Sequence, residues 1–262
     1  MLFRVILLLS SFGCCASIVE AQIIETQYIE DIVPLVDKDT WVLVDLDNCM
    51  FQGAQALGHA NWFYDAIQQK IAKGISKNTA IAEVYPDWIQ SQNLCTVQPI
   101  EKNFVPILTA FQNQGIVVMG LTHRCSNLEA ITIRQVNSLN FNFFKTAPTQ
   151  TNFNVPTQIP GFYSHGILFV GDFNKKSDVF ARFLALINKF PEKIVFIDDR
   201  RDNVEDLERL TNQSIKYTGV HYTAIQYASP IFIREIAELQ YKTINHIISN
   251  EAALLLLEHG LE

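Results

Sequence analysis

The sequence predicts an α/β protein: a parallel sheet with helices on both faces, carrying a mostly helical insert. Three observations lead there. Four unbroken apolar runs, WVLVD (41–45), GIVVMGLT (115–122), GILFVGD (166–172) and KIVFIDD (193–199), stop at polar residues, as strands buried on both faces do. Apolar stripes at helical spacing lie between them, and strand–helix alternation marks a parallel sheet. The interval 53–112 has helical stripes and no convincing strand, and is too long for an ordinary connection.

The 262 residues suffice for one large domain or a core with a smaller insert. With 48% of residues apolar and 18% charged the chain folds rather than staying disordered. A net charge of −7 leaves no basic field to attract a phosphate backbone, which excludes a general nucleic-acid binder. No repeat or low-complexity tract is present.

Residues 1–21 read as a signal peptide. MLFR gives a positive start, VILLLSSFG (5–13) a core too short to span a bilayer, and Val19-Glu20-Ala21 a cleavage site before Gln22. The expectation is an exported protein, periplasmic or secreted. The alternatives are a buried N-terminal helix, or a lipid anchor through Cys14, which Phe12 disfavours. No other apolar run is long enough for a membrane span; LLLL (254–257) is one helical turn. Without the leader three cysteines remain, Cys49, Cys95 and Cys125. They form neither a disulfide framework nor a zinc site, and export permits one disulfide.

The core is expected over 22–52 and 113–262. After the first strand comes the insert, with Trp62, Phe63, Ala66, Ile67 and Ile71 on one stripe and a second helix over 78–90 despite Pro86. Its position directly after Asp45 and Asp47 suggests a cap above them. Leu128, Ile131, Val136 and Leu139 follow the second strand; Val179, Phe180, Phe183, Leu184 and Ile187 follow the third; Val204, Leu207 and Leu210 follow the fourth. IKYTGVHYT (215–223) is a fifth strand. Phe232, Ile236, Leu239, Ile244 and Ile247 mark a long helix, and Ser249-Asn250-Glu251 caps a last one.

Open α/β sheets place their sites at the carboxyl ends of strands. Those ends supply Asp45 and Asp47, then Thr122 with His123 and Arg124, then Lys175 and Lys176 at a helix start, then Asp198 and Asp199. Alone, most of these have ordinary explanations. Two aspartates can end a strand, a lysine at a helix start is usually solvated, and surface roles are expected for His123 and Arg124. Arg200 and Arg201 either bind an anion or pair with Asp202 and Glu205. The stripe with Trp62 and Phe63 is expected to be cap core. His59, His221 and His246 lack metal-ligand spacing.

Taken in order, these segments resemble the haloacid dehalogenase superfamily of aspartate-dependent phosphohydrolases. VLVDLDNCM matches its Asp-x-Asp strand, VVMGLT its strand ending in Ser or Thr, NKKSDVF its helix-start lysine and IVFIDDRRDN its acidic strand end. The resemblance spans residues 41 to about 210. It is closest to a little-characterised group of exported bacterial members whose insert begins much like LGHANWFYDAI (57–67). It implies a Rossmann-like core with a cap, and magnesium-dependent hydrolysis of a small phosphate monoester. Asp45 would be the nucleophile and Asp47 the proton donor and acceptor. Thr122 and Lys175 would hold the phosphoryl oxygens. Asp45, the Asp47 carbonyl and Asp199 would hold Mg²⁺, with Asp198 the second choice.

The sequence departs from the pattern at four places. Asp198 stands where glycine is usual, Asn203 where a further acid is usual, and Cys49 where Thr or Val is usual. Lys176 stands at a glycine position beside Lys175 and could take over its role. In the family's sheet the first two motif strands are neighbours. Cys49 and Cys125 are therefore expected beside the site, as buried thiols or as a disulfide. A response-regulator receiver would carry its acidic pair before the phosphorylated Asp, and a glycosyltransferase would not need this succession. No Gly-rich phosphate loop or Ser nucleophile elbow is present. The alternative to a phosphatase is a non-catalytic exported binding protein that kept the fold.

Overall fold

The computed structural model of the protein describes residues 21–213, 215–228, 232–244 and 247–260. The signal-peptide expectation therefore lies outside the described residues, except for Ala21. The strands are β1 (Ala21–Thr26), β2 (Thr40–Val44), β3 (Phe51–Gly53), β4 (Val97–Pro99), β5 (Val117–Thr122), β6 (Phe153–Val155), β7 (Gly161–Ser164), β8 (Ile167–Phe169), β9 (Lys193–Asp198) and β10 (Lys216–Tyr222). The helices are α1 (Ala60–Ala72), α2 (Lys77–Leu94), α3 (Phe104–Asn113), α4 (Glu129–Ser138), α5 (Lys176–Ile187), α6 (Arg201–Leu207), α7 (Ile225–Ala228), α8 (Arg234–Lys242) and α9 (Asn250–Glu258).

One sheet runs in the order β1-β10-β9-β2-β5-β8-β7-β6. Its strands are parallel from β1 through β8, and β7 and β6 add an antiparallel hairpin at the edge. The α/β architecture expected from the sequence is thus present, and all five expected strands are there. Alternation along each strand splits the core between two faces. Val42, Val44, Val118 and Ile197 pack with Phe104, Leu108 and Phe111 of α3. Leu43, Met119, Leu121 and Phe196 pack with Val179, Phe180 and Phe183 of α5 and with Val204 and Leu207 of α6.

From β2 the chain moves outward through β5 and β8, then returns to lay β9 on the other side of β2. This reversal makes β2 the topological switch point, where the helices diverge and leave a crevice. Asp45 follows β2 directly. Its neighbours across the strand ends are therefore Thr122 at the end of β5 and Asp198 at the end of β9.

The insert differs from expectation in composition. Helices α1 and α2 form it, but β3 and β4 pair as a short antiparallel ribbon at its base, and α3 packs into the sheet core. Residues expected to belong to the core complete it instead. Ile236, Ala237 and Leu239 of α8 and Ala253 of α9 share one apolar cluster with Trp62, Phe63, Ile67, Val84 and Trp88. The expected long helix is shorter, ending at Lys242. Buried amides tie the two parts together: Leu57 N donates to Gln240 Oε1 at 2.9 Å and Ala56 N to Asn250 Oδ1 at 3.1 Å. The last helix is capped as expected, Ser249 Oγ accepting from Ala252 N at 3.2 Å. At the cap's root Gly53 and Gly58 lie so close that a Cβ on Gly53 would stand 2.4 Å from Gly58 O.

Candidate active site

The backbone after β2 turns sharply. Asn48 takes a left-handed conformation (φ 63°), which asparagine tolerates. Asn48 N then donates to Phe51 O at 2.9 Å and Phe51 N to Leu46 O at 3.1 Å. Asp45 and Asp47 are held on this turn at the carboxyl edge of the sheet. The side-chain oxygen of Asn48 is buried without a hydrogen-bond partner among the described residues.

Lys176, the first residue of α5, crosses under the sheet edge with its ammonium fully buried. Its Nζ donates to Asp45 Oδ1 at 2.6 Å and to Asp198 Oδ2 at 2.7 Å. It is therefore Lys176, and not the preferred Lys175, that reaches the aspartates. Lys175 is the N-cap residue, exposed, and lies on a cleft to one side. The physical reason is phase. The first residue of α5 points back along the helix axis onto the strand ends, while the residue before it is still extended.

Asp198 is consumed by structure. Oδ1 accepts from Arg200 N at 2.8 Å, both oxygens accept from Asn203 Nδ2 at 3.1 Å, and Oδ2 accepts from Lys176. Asn203, standing where the family pattern has an acid, thus supports Asp198. Asp199 makes no side-chain hydrogen bond or ion pair among the described residues. Asp45, Asp198 and Asp199 can each place one oxygen within 4.8 Å of the others. Of these, Asp45 and Asp199 line a slot of about 50 Å³ that Thr122 also lines.

The electrostatics follow from crowding. Burial raises the Asp45 pKa to about 7, with Asp198 and Asp47 adding to the effect and Lys176 opposing it. Burial, Asp198 and Asp45 hold the Asp199 carboxyl well above the usual range. Burial works against the Lys176 charge, but Asp198 and Asp45 outweigh it and raise its pKa. Three carboxylates around one ammonium leave a surplus of two negative charges when all are ionised. A divalent cation on oxygen ligands fits that donor set, with Asp45 and Asp199 as the side chains open to it.

Arg124 is not the surface residue expected. It is buried, and its guanidinium forks onto Asp47, Nε to Oδ2 and Nη2 to Oδ1, both at 2.7 Å. Its remaining donors reach Thr132 Oγ1 (3.0 Å) and Gln135 Oε1 (2.6 Å) of α4 and Gln92 Oε1 (3.0 Å) of α2 in the cap. Such planar, bidentate pairing is what arginine supplies and lysine does not. His123 is also interior, its ring nitrogens 3.2 Å from Gly171 O and 3.3 Å from Asn203 Oδ1. Burial, with Lys176, lowers its pKa and favours the neutral ring. Arg200 and Arg201 pair with Asp202 and Glu205, at 2.5 and 2.8 Å.

The cysteines are all free thiols. Cys49 is buried with its Sγ 3.5 Å from Ile197 O, while Cys125 accepts from Tyr85 Oη at 2.8 Å across the cap boundary. Cys49 thus meets a strand of the sheet and Cys125 a helix of the cap. Phe63 is cap core as expected, and with Tyr64, Tyr85 and Trp88 it also roofs the slot.

Fold and site together define a capped α/β protein with a carboxylate–lysine cluster at the switch point of its sheet. The chain belongs to the family described as Protein of unknown function (DUF2608), which matches residues 25–254. A Chlamydia trachomatis protein named "Putative outer membrane protein" is 34% identical over 227 residues, 86% of this chain and 85% of its own. A Chlamydia muridarum protein of the same name is 33% identical, covering 100% of this chain and 98% of its own. An uncharacterised protein of Rickettsia prowazekii is 27% identical over 92% of this chain and 90% of its own. No solved structure matches the chain.

Proposed function

We propose that the protein is an exported, magnesium-dependent phosphatase that hydrolyses a small phosphate monoester through an aspartyl-phosphate on Asp45. The observation that carries this reading is the buried Lys176 ammonium bridging Asp45 and Asp198 beside Asp199 and Thr122, at the switch point of the sheet. Export is supported by the leader-like residues 1–21 and by the outer-membrane names of the chlamydial relatives. No described helix is long and apolar enough to cross a membrane.

Asp45 and Asp199, with the Asp47 carbonyl, would hold magnesium, which would offset the repulsion between carboxylate and phosphate and polarise a phosphoryl oxygen. Asp45 attacks phosphorus, the bond to the leaving oxygen breaks with its electron pair, and Asp47 gives that oxygen a proton. Water then attacks the same phosphorus, Asp47 takes its proton, and inorganic phosphate leaves Asp45 restored. Lys176 and the Thr122 hydroxyl balance the charge on the phosphoryl oxygens. Arg124 holds Asp47 in an ion pair, so on this reading Asp47 leaves that fork and takes up a proton before it serves the leaving oxygen.

The test is hydrolysis of p-nitrophenyl phosphate by the full chain, with magnesium and with excess chelator. Turnover is expected with magnesium, loss with chelator, and abolition in Asp45→Asn with the fold intact by circular dichroism. Full activity in chelator overturns the metal assignment. Normal turnover of Asp45→Asn overturns the covalent route. No turnover at all favours the binding-protein alternative.

A further inference from the structure

The slot and an adjoining cleft of about 590 Å³ share six residues that form the neck between them: Phe63, Tyr64, His123, Asp172, Arg200 and Asn203. The slot has room for a small group only, so on the phosphatase reading the phosphoryl group fills it. The leaving group must then pass the neck into the cleft. What it meets there is a question of charge.

Five of the six neck residues are committed or uncharged. The Arg200 guanidinium is taken by Asp202, Nη2 to Oδ2 at 2.5 Å and Nε to Oδ1 at 3.1 Å. Both ring nitrogens of His123 are engaged, and Asn203 is spent on Asp198. Asp172 alone carries an unpaired charge: among the described residues its carboxylate has no hydrogen bond and no ion pair. Lys77 and Arg200 act on it only at longer range, and Asp47 repels it. Lys77 and Lys175 line the cleft but not the slot.

Aromatic rings share the lining with this carboxylate. Phe63 and Tyr64 stand at the neck, and Tyr85 and Trp88 stand above the slot. Phe63 meets Tyr85 edge-on at 6.1 Å and lies 5.2 Å from Trp88, so the rings form one cluster. An unpaired carboxylate among aromatic rings matches an ammonium or quaternary ammonium group, attracted by both the charge and the ring faces. An anionic leaving group would meet the Asp172 charge at the neck before it reached Lys77, Lys175 and Arg209 in the cleft, and a neutral one would leave the carboxylate uncompensated.

We infer that the neck is a subsite for a cationic leaving group, and that the substrate is the phosphate monoester of an amino alcohol. The inference rests on the phosphatase reading for the chemistry, but the subsite itself does not.

The experiment compares kcat/KM for phosphocholine with that for 3,3-dimethylbutyl phosphate, its uncharged carbon isostere. A preference of about 10-fold or more for the cation is expected. It should fall to near one in Asp172→Asn and return in part in Asp172→Glu. Far-ultraviolet circular dichroism reports that each variant is folded. Equal use of the isostere by the wild type, or a preference kept in Asp172→Asn, overturns the inference. Choline chloride titrated against tryptophan fluorescence tests the subsite without turnover. A saturable change lost in Asp172→Asn supports it even if no ester is hydrolysed, in which case the phosphatase reading fails alone. No saturable change overturns the subsite even if aryl phosphates are cleaved.

Discussion

Replacing Lys176 by methionine keeps the length and apolar stem of the side chain and removes its charge. The ammonium serves two acceptors, Asp45 Oδ1 at 2.6 Å and Asp198 Oδ2 at 2.7 Å, with side-chain exposures of 0% for Lys176, 10% for Asp45 and 0% for Asp198. Breaking a buried pair by removing one partner costs about 3–5 kcal/mol, because the remaining charge has nowhere to go. For a domain of this size that is roughly 6–10 °C in Tm. The loss has a pH signature. Asp45 has a folded-state pKa above the unfolded value. Its contribution is intact below the unfolded pKa of about 3.9 and is lost as pH rises through the folded value. Asp45, already at about 7 with the lysine present, moves further up. The destabilisation of Lys176→Met is therefore expected to be largest near pH 8 and small near pH 4. Urea unfolding in chelator at the two pH values measures it. The neighbouring substitution Lys175→Met, at an exposed position, should stay within about 0.5 kcal/mol at both. A loss below about 1 kcal/mol at pH 8, or the same loss at both pH values, would refute the assignment of Lys176 as the buried counter-charge.

Asp172 titrates in the same sense for another reason. Burial and Asp47 raise its pKa to about 6 against Arg200 and Lys77, so its contribution is intact below the unfolded value and lost as pH rises through about 6. Asp172→Asn should gain about 1–2 kcal/mol at pH 8 and nothing at pH 4, read by thermal melts. Arg124→Met strands Asp47, Gln92 and Gln135. It should cost about 2–4 kcal/mol, and a double-mutant cycle with Asp47→Asn should return a coupling above about 1 kcal/mol; additive losses would contradict the fork. Cys49, Cys95 and Cys125 should titrate as three free thiols in the unreduced, denatured protein, and one thiol would mean a bridge has formed.

The strands around the site were legible because β2, β5, β8 and β9 are buried on both faces, which leaves continuous apolar runs. Strand β1 was hidden because it follows directly on a leader-like segment and reads half-buried, with only Ile23 and Ile24 as an apolar pair. The β6–β7 hairpin is two strands of three and four residues and carries no periodicity to detect. Helix α3 was assigned to the insert because sequence position suggested it, while its face of Phe104, Leu108 and Phe111 fits the sheet.

At the site, residue types were readable and partners were not. Asp45, Asp47, Thr122, Asp198 and Asp199 meet because their strands are neighbours. The choice between two adjacent lysines depends on helix phase, which the dipeptide does not encode. Arg124 looked like an ordinary loop arginine. The available signal was its place two residues after Thr122, at the strand end nearest Asp47. Asp172 closes the third apolar run in the same way as the other aspartates; that signal was available, but Lys175 and Lys176 were singled out from this segment instead.

The roof over the slot is written in two distant parts of the chain. Leu57 and Gln240, whose hydrogen bond ties them, are 183 residues apart, and every strand of the sheet has been made by Tyr222. During synthesis the base of the molecule is therefore complete before α8 and α9 exist. Until they arrive, Trp62, Phe63 and Trp88 have only part of the surface that covers them, which is the condition under which partly made chains stick to one another. A chain kept unfolded until it has crossed a membrane avoids that interval, since both halves of the roof are then present when folding begins. The geometry of the cap thus gives folding after export an advantage over folding during synthesis.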